Sequence, residues 1–170
     1  MKYNNSKEPL LFVVDGMLGK LTRWLRLLGY DTVYVIDHEI EGDGDDCLLK
    51  IAWEENRILI SKDKALIREA ELMGLRAFLI RSNKINEQLK EMRDHFNLNL
   101  EPDMIRCSMC NSTIRVVKPE ELKLVEEKDY VYPSTLESGV DFWICDNCGK
   151  VYWEGGHWTN IMKTIEKLKK

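Results

Sequence analysis

LLFVVDGMLGKLTRWLRLLG, residues 10–29, decides the fold. Its first part, LLFVV (10–14), is a continuous apolar run of strand length, the texture of a strand buried on both faces. In MLGKLTRWLRLL (17–28), Leu18, Leu21, Leu25 and Leu28 recur at three- and four-residue spacing, which predicts a helix with one apolar face. Gly29 follows as a C-terminal cap. A buried strand feeding directly into a helix is the opening of a βα unit.

The same texture repeats outward from it. Strands are expected at TVYVI (32–36), RILI (57–60) and RAFLI (76–80). Helices are expected at CLLKIAWEE (47–55), with Asp45 or Asp46 as N-cap, at KALIREAELM (64–73), ended by Gly74, and at INEQLKEMRDHF (85–96). The resulting βαβαβαβα order predicts an α/β domain over residues 1–96, a parallel sheet with helices on both faces. From Asn97 the texture changes. NLNLEPDM reads as a linker into two cysteine pairs and a final amphipathic segment, WTNIMKTIEKLKK, so residues 97–170 are expected to form a small cysteine-rich unit with a C-terminal helix.

The chain has 170 residues, enough for one ordinary domain and a small appendage. Its longest apolar run is far too short to span a membrane, and MKYNNSKEP lacks a secretory core, so a cytoplasmic protein with no membrane partner is expected. The net charge of −4 argues against an indiscriminate basic coat for nucleic acid, though not against a local basic patch.

Four of the five cysteines stand in two CxxC pairs, Cys107/Cys110 and Cys145/Cys148. Each tight turn puts two sulfurs on one side, and two such turns complete a tetrahedral thiolate site, so one structural zinc is expected. Asn111 and Gly149, which follow the pairs, suit the left-handed backbone of such knuckles. EELKLVEEKDYVYP (120–133) supplies the loop or hairpin that joins the two arms. A thioredoxin-like redox site would have one CxxC between a strand and a helix, which is not the pattern here. Cys47 is expected to be a small core residue.

Three acidic positions stand where a parallel sheet presents its chemistry. Asp15 follows the first strand, Asp63 lies just beyond the third, and Asp45 and Asp46 open the helix after the second. Brought together, they would repel one another unless a hard cation, magnesium or manganese, sat among them. Such a site suits phosphodiester hydrolysis. Taken singly, each acid has a structural reading as a helix cap. Lys20, Arg23 and Arg26 recur along the first helix, either as phosphate contacts or as a solvated face. Gly16-Met-Leu-Gly19-Lys20 is no P-loop, since the glycines are too close and Leu21 replaces the Ser or Thr. Met17 stands where a paired-aspartate phosphatase would need its second Asp. Three functions stay open on the residues alone: a nuclease, a non-catalytic RNA-binding or adaptor module using the ribbon and basic helix, and phosphotransfer chemistry.

PLLFVVDGMLGKLTRWLRLLGYDT, DDCLLKIAWEENRILISKD, RCSMCN and CDNCGKVYWEGGHW together resemble the mut-seven C-terminal RNase family, over roughly residues 10–160. That resemblance implies a PIN-like nuclease fold fused to a zinc ribbon, and RNA as substrate. It implies catalytic acids at Asp15 and Asp63, with a third at Asp45 or, in the competing register, Asp46. It also implies substrate contacts at Lys20, Arg23 and Arg26. Ser61-Lys62 stands where Thr-Arg is commoner and keeps the hydroxyl and the charge, so Lys62 joins the substrate contacts. A fourth acid is not assignable; Asp37 and Asp43 are loose candidates. His157 is expected in a loop that closes the ribbon against Trp158, the alternative being a group that supports the site or contacts substrate. Trp143, Tyr152, Trp153 and Trp158 are expected to pack the ribbon core, the alternative being to stack on bases.

Overall fold

The computed structural model describes residues 9–37 and 44–169. Four parallel strands, β1 (Leu11–Val14), β2 (Asp31–Tyr34), β3 (Ile58–Ser61) and β4 (Ala77–Leu79), form a sheet in the order β2-β1-β3-β4. Val13 sits between Val33 and Leu59 in register. Alternation along the strands sends consecutive side chains to opposite faces. Phe12, Val14, Ile58 and Ile60 meet α1 (Gly19–Leu27) on one face; Val13 and Leu59 meet α2 (Gly44–Glu54) and α3 (Lys64–Leu72) on the other. α4 (Ile85–Phe96) joins α1 through Leu89, Met92 and Phe96. Both faces of the sheet are therefore covered, which is why the central strands LFVV and ILIS read as largely apolar runs.

The predicted boundaries shift for local reasons. The first helix starts at Gly19 and not at 17, because the Asp15 carboxylate accepts the Met17 N–H at 2.7 Å and tightens Gly16–Leu18 into a 3-10 turn. Strand β2 stops at Tyr34, followed by a second 3-10 turn over Val35–Asp37. α2 begins at Gly44, so Asp45 and Asp46 lie inside its first turn and are not its N-cap.

A second, antiparallel sheet holds β5 (Arg115–Val116), β6 (Phe142–Ile144) and β7 (Val151–Trp153) in that order. The segment between β5 and β6, expected as a loop or hairpin, forms two short helices, α5 (Lys123–Glu126) and α6 (Pro133–Glu137). Pro119 opens a 3-10 turn just before α5, and Pro133 stands at the start of α6. The fully buried Val125, with Val131, then folds this insert onto the ribbon core of Phe142, Ile144 and Val151.

The last helix, α7 (Gly156–Lys169), packs away from that core. Its Ile161, Ile165 and Leu168 enter the cluster that also holds Phe12, Leu89 and Phe96, together with Leu98 and Leu100 of the linker. The chain after residue 96 thus completes the α/β core as well as carrying the ribbon.

Candidate active site

Strand β1 has β2 on one side and β3 on the other, so the C-terminal ends of β1 and β3 flank the point where the winding reverses. Open α/β sheets bind ligands there. Asp15 stands at that point, 8% exposed, its N–H donating to the Ile60 carbonyl at 3.1 Å. Its Oδ1 accepts from Met17 N, and its Oδ2 accepts from the Ser61 hydroxyl and from Lys62 N at 3.2 Å. Three uncharged donors fix this carboxylate in place. The Lys62 ammonium is not among them, since it reaches Asn83 Oδ1 instead.

Ser61 links the two predicted acids. The same hydroxyl that donates to Asp15 accepts the Asp63 N–H at 2.9 Å. Asp63 itself is exposed and caps α3, its Oδ1 accepting from Ala65 N at 2.7 Å and Leu66 N at 3.2 Å. Asp45 and Asp46 are exposed in the first turn of α2. Of the loose candidates, Asp43 lies outside the described residues, and Asp37 is paired with Arg26 at 2.7 Å. Among the described residues only the four cysteines bring three or more metal-ligating groups within 4.8 Å of one another; no trio of carboxylates does so.

The three basic residues of α1 do not share a face. Six residues of α-helix turn the side-chain direction by roughly 240°. Lys20 and Arg23 are exposed, whereas Arg26 is 2% exposed. The Arg26 guanidinium donates to the Thr32 carbonyl at 2.9 Å, the Met109 carbonyl at 2.8 Å and Asp37 Oδ2. It clasps α1, the edge strand and the first cysteine knuckle together.

Lys20 and Arg23 border two adjoining cavities of about 320 Å³ each, both floored by Ser108 and Met109 of the knuckle. The first reaches Gly19, Arg26, Tyr34 and Asp37. Tyr34 donates its hydroxyl to the Gly16 carbonyl at 2.7 Å, and a Cβ on Gly19 would lie 2.8 Å from that hydroxyl and would push it aside. Burial, with the negative charges of Asp37 and Asp15, pushes the Tyr34 phenol up despite Arg23 and Arg26. The second cavity adds Trp24, Tyr152 and His157. His157, expected in a loop, stands exposed in the first turn of α7, and Trp158 packs on the α/β core and not on the ribbon.

The four cysteines hold their sulfurs within 4.8 Å of one another, with Cys107–Cys148 at 3.5 Å and Cys110–Cys145 at 3.4 Å. A disulfide needs about 2.05 Å, whereas tetrahedral zinc thiolates with Zn–S near 2.3 Å place sulfurs about 3.8 Å apart. The donor set therefore fits a metal with no open coordination position. The two knuckles match: Cys107 N donates to Ser112 O and Asn111 N to Cys107 O, while Cys145 N donates to Lys150 O and Gly149 N to Cys145 O. Asn111 (φ 67°) and Gly149 (φ 72°) take the left-handed backbone expected of them. Burial drives the Cys148 thiol up to about 12, and hydrogen bonds from Asn147, Ser112 and Cys145 overcome burial to bring Cys110 down to about 6. Sulfurs this close share their protons, and a bound cation would displace them.

Ser61 and Tyr34 carry the geometry around Asp15. A hydroxyl at a strand end, two residues before an acid, was the available signal for the first; nothing in the sequence pattern singled out the second.

The family model for the Mut7-C RNAse domain matches residues 10–165. No curated protein and no solved structure shows significant similarity to the chain. The match spans nearly the whole chain, the four-cysteine ribbon included, and the protein belongs to the Mut7-C RNAse domain family.

Proposed function

We propose that the protein is a metal-dependent ribonuclease whose reaction centre is Asp15. The observation that carries this reading is the buried carboxylate held by Met17 N, Ser61 Oγ and Lys62 N at the β1/β3 switch point of an RNAse-family domain. A carboxylate oriented by three donors is preorganised, and the surrounding acids offer only oxygen, the donor that hard cations prefer. Magnesium is commonly held by one or two carboxylates together with substrate phosphate, so a preformed trio is not required. Asp15 would hold the ion with Asp63 or with Asp45, Asp46 being the alternative in α2. Magnesium or manganese there supplies Lewis acidity and a water of lowered pKa.

This chain's own groups do the rest. Ser61 keeps the Asp15 carboxylate turned toward the crevice and ties it to the Asp63 backbone. Lys20 and Arg23 bind the phosphate backbone on the α1 side. The Lys62 ammonium, held beside Asn83, is poised on the β3 side. Zinc in the four-cysteine site is structural: it folds the ribbon that floors the cleft.

The binding-module alternative draws support from Asp63, whose cap on α3 is a sufficient reason for that acid. The two readings part on one assay. The zinc-loaded protein should cleave labelled RNA in magnesium or manganese and stop when that ion is withdrawn while zinc is retained. Tight RNA binding with no cleavage in either ion establishes the adaptor reading instead.

A further inference from the structure

We propose that the cavity between α1 and the ribbon is a nucleobase site, in which one unpaired base of single-stranded RNA seats against Trp24 and Tyr152 while Lys20 and Arg23 hold its flanking phosphates. This rests on the ribonuclease reading and deepens it, because it makes the ribbon a selecting part of the substrate site.

The lining argues for a base. Trp24 and Tyr152 are half-buried, so each is held by the fold yet shows part of its ring to the cavity. Met109 closes the floor and is 45% exposed, a soft apolar surface suited to a flat ring. His157 stands at the mouth. Stacking on aromatic rings is how proteins hold single-stranded bases, and it tolerates any base because each has a π-face.

The charge argues for a polymer of phosphates. The chain is acidic overall, with a net charge of −4, yet the shared border of the two cavities carries Lys20 and Arg23 side by side on α1. The two cavities share Lys20, Arg23, Ser108 and Met109, one extending to Gly19 and Tyr34 and the other to Tyr152. Tyr34 in turn bonds the carbonyl of Gly16, the residue after Asp15. A strand whose scissile phosphate lies at Asp15 would thus lead a neighbouring nucleotide into the aromatic cavity. A base inside a duplex is stacked and paired and cannot enter.

The ribbon is built to hold this wall still. The Tyr152 hydroxyl bonds to Cys107 Sγ and accepts the Ser108 N–H, both at 3.0 Å. Arg26 holds the Met109 carbonyl from the other side. The Cys107 knuckle, the Tyr152 ring and α1 are thus bonded to one another around the cavity.

The test uses the full-length zinc-loaded protein in buffer without magnesium or manganese, and a single-stranded RNA carrying 2-aminopurine at successive positions. Fluorescence should be quenched at one or two adjacent positions. An abasic nucleotide there should weaken binding by roughly 5- to 150-fold, the range expected for one stacked base. Trp24→Ala should abolish the quenching. Because Trp24 also packs on the core, His157→Ala and Met109→Glu, on exposed side chains, are run beside it and should reduce it. Equal affinity for abasic and intact strands, equal quenching in a duplex, or competition by a mononucleotide as strong as by the oligomer overturns the proposal. Since the readout is binding, a base-dependent site without cleavage upholds the pocket while refuting the ribonuclease reading, and cleavage without base dependence does the reverse.

Discussion

Asn111 Oδ1 accepts the main-chain N–H of Thr32 at 3.0 Å, and so a residue of the cysteine knuckle takes up a main-chain donor on the β2 edge of the parallel sheet. The Thr32 carbonyl on that edge is taken by Arg26 Nε at 2.9 Å. Two side chains thus occupy the place of a further strand, which leaves the edge no free pair to offer another chain there. Asn111 also donates to Asp31 Oδ1 at 2.8 Å, fastening the ribbon to the sheet at a second point.

Asn111→Gly keeps the left-handed backbone and loses both side-chain bonds. It is expected to cost about 1–3 kcal/mol, the range for leaving buried partners unsatisfied. Asn111→Ala should cost more, because it adds backbone strain at φ 67°. Urea denaturation of the three proteins measures this; a glycine variant as stable as the parent shows that the contact contributes nothing.

Asp31 makes the same joint sensitive to acid. Burial works against its charge, but hydrogen bonds from Arg57 and Asn111 and the charges of Arg57 and Arg106 outweigh it and hold the carboxyl below its ordinary 3.8. A carboxyl depressed in the folded state contributes stability that is full above the unfolded pKa and is lost as pH falls through the folded one. Stability measured from pH 6 down to pH 3 should therefore fall more steeply in the parent than in Asp31→Asn, which starts lower at pH 6. Parallel curves for the two proteins contradict this.

Ile165 of α7 is 1% exposed in the α/β core. Ile165→Ala should destabilise that domain by about 2–5 kcal/mol, as buried aliphatic truncations do. Amide exchange in β1 and β3 should rise with it. Exchange that changes only in the ribbon shows that α7 belongs to the ribbon alone.

Cys145→Ser should remove the bound metal and loosen the ribbon, with Tyr152 losing its anchored partner at Cys107. Elemental analysis should give one zinc per parent chain and a sharply reduced content in the variant. Protein purified without chelator that carries no zinc rules the site out.

The α/β layer was legible because its apolar runs and helical spacing each lie inside single segments, and because the two central strands, β1 and β3, are almost wholly buried. The cysteine site was legible because its spacing is itself the chemistry. What the sequence could not show is pairing across distance. Arg26 looked like its neighbours Lys20 and Arg23, since a three-residue repeat does not reveal that its last member turns under the knuckle to Met109. α7 follows the ribbon in the chain, and an amphipathic face does not say which core it meets. Ser61 stood next to Lys62 in a short polar run, and only the neighbouring β1 makes its hydroxyl the link from Asp15 to Asp63. The insert between the knuckles read as a loop because its helices are too short to show a period.

The central claim is that Asp15 is the reaction centre of a ribonuclease. Its most direct test is the rate of RNA cleavage in manganese by Asp15→Asn against the parent, with equal zinc content and equal stability verified for both. Asn can keep the oxygen that Ser61 and Lys62 bind but places an amide NH2 where the other oxygen accepts from Met17 N, and it loses the charge. The rate should fall at least about a hundredfold, the effect of losing several kcal/mol of charge stabilisation. Cleavage by Asp15→Asn at the parent's rate contradicts the account.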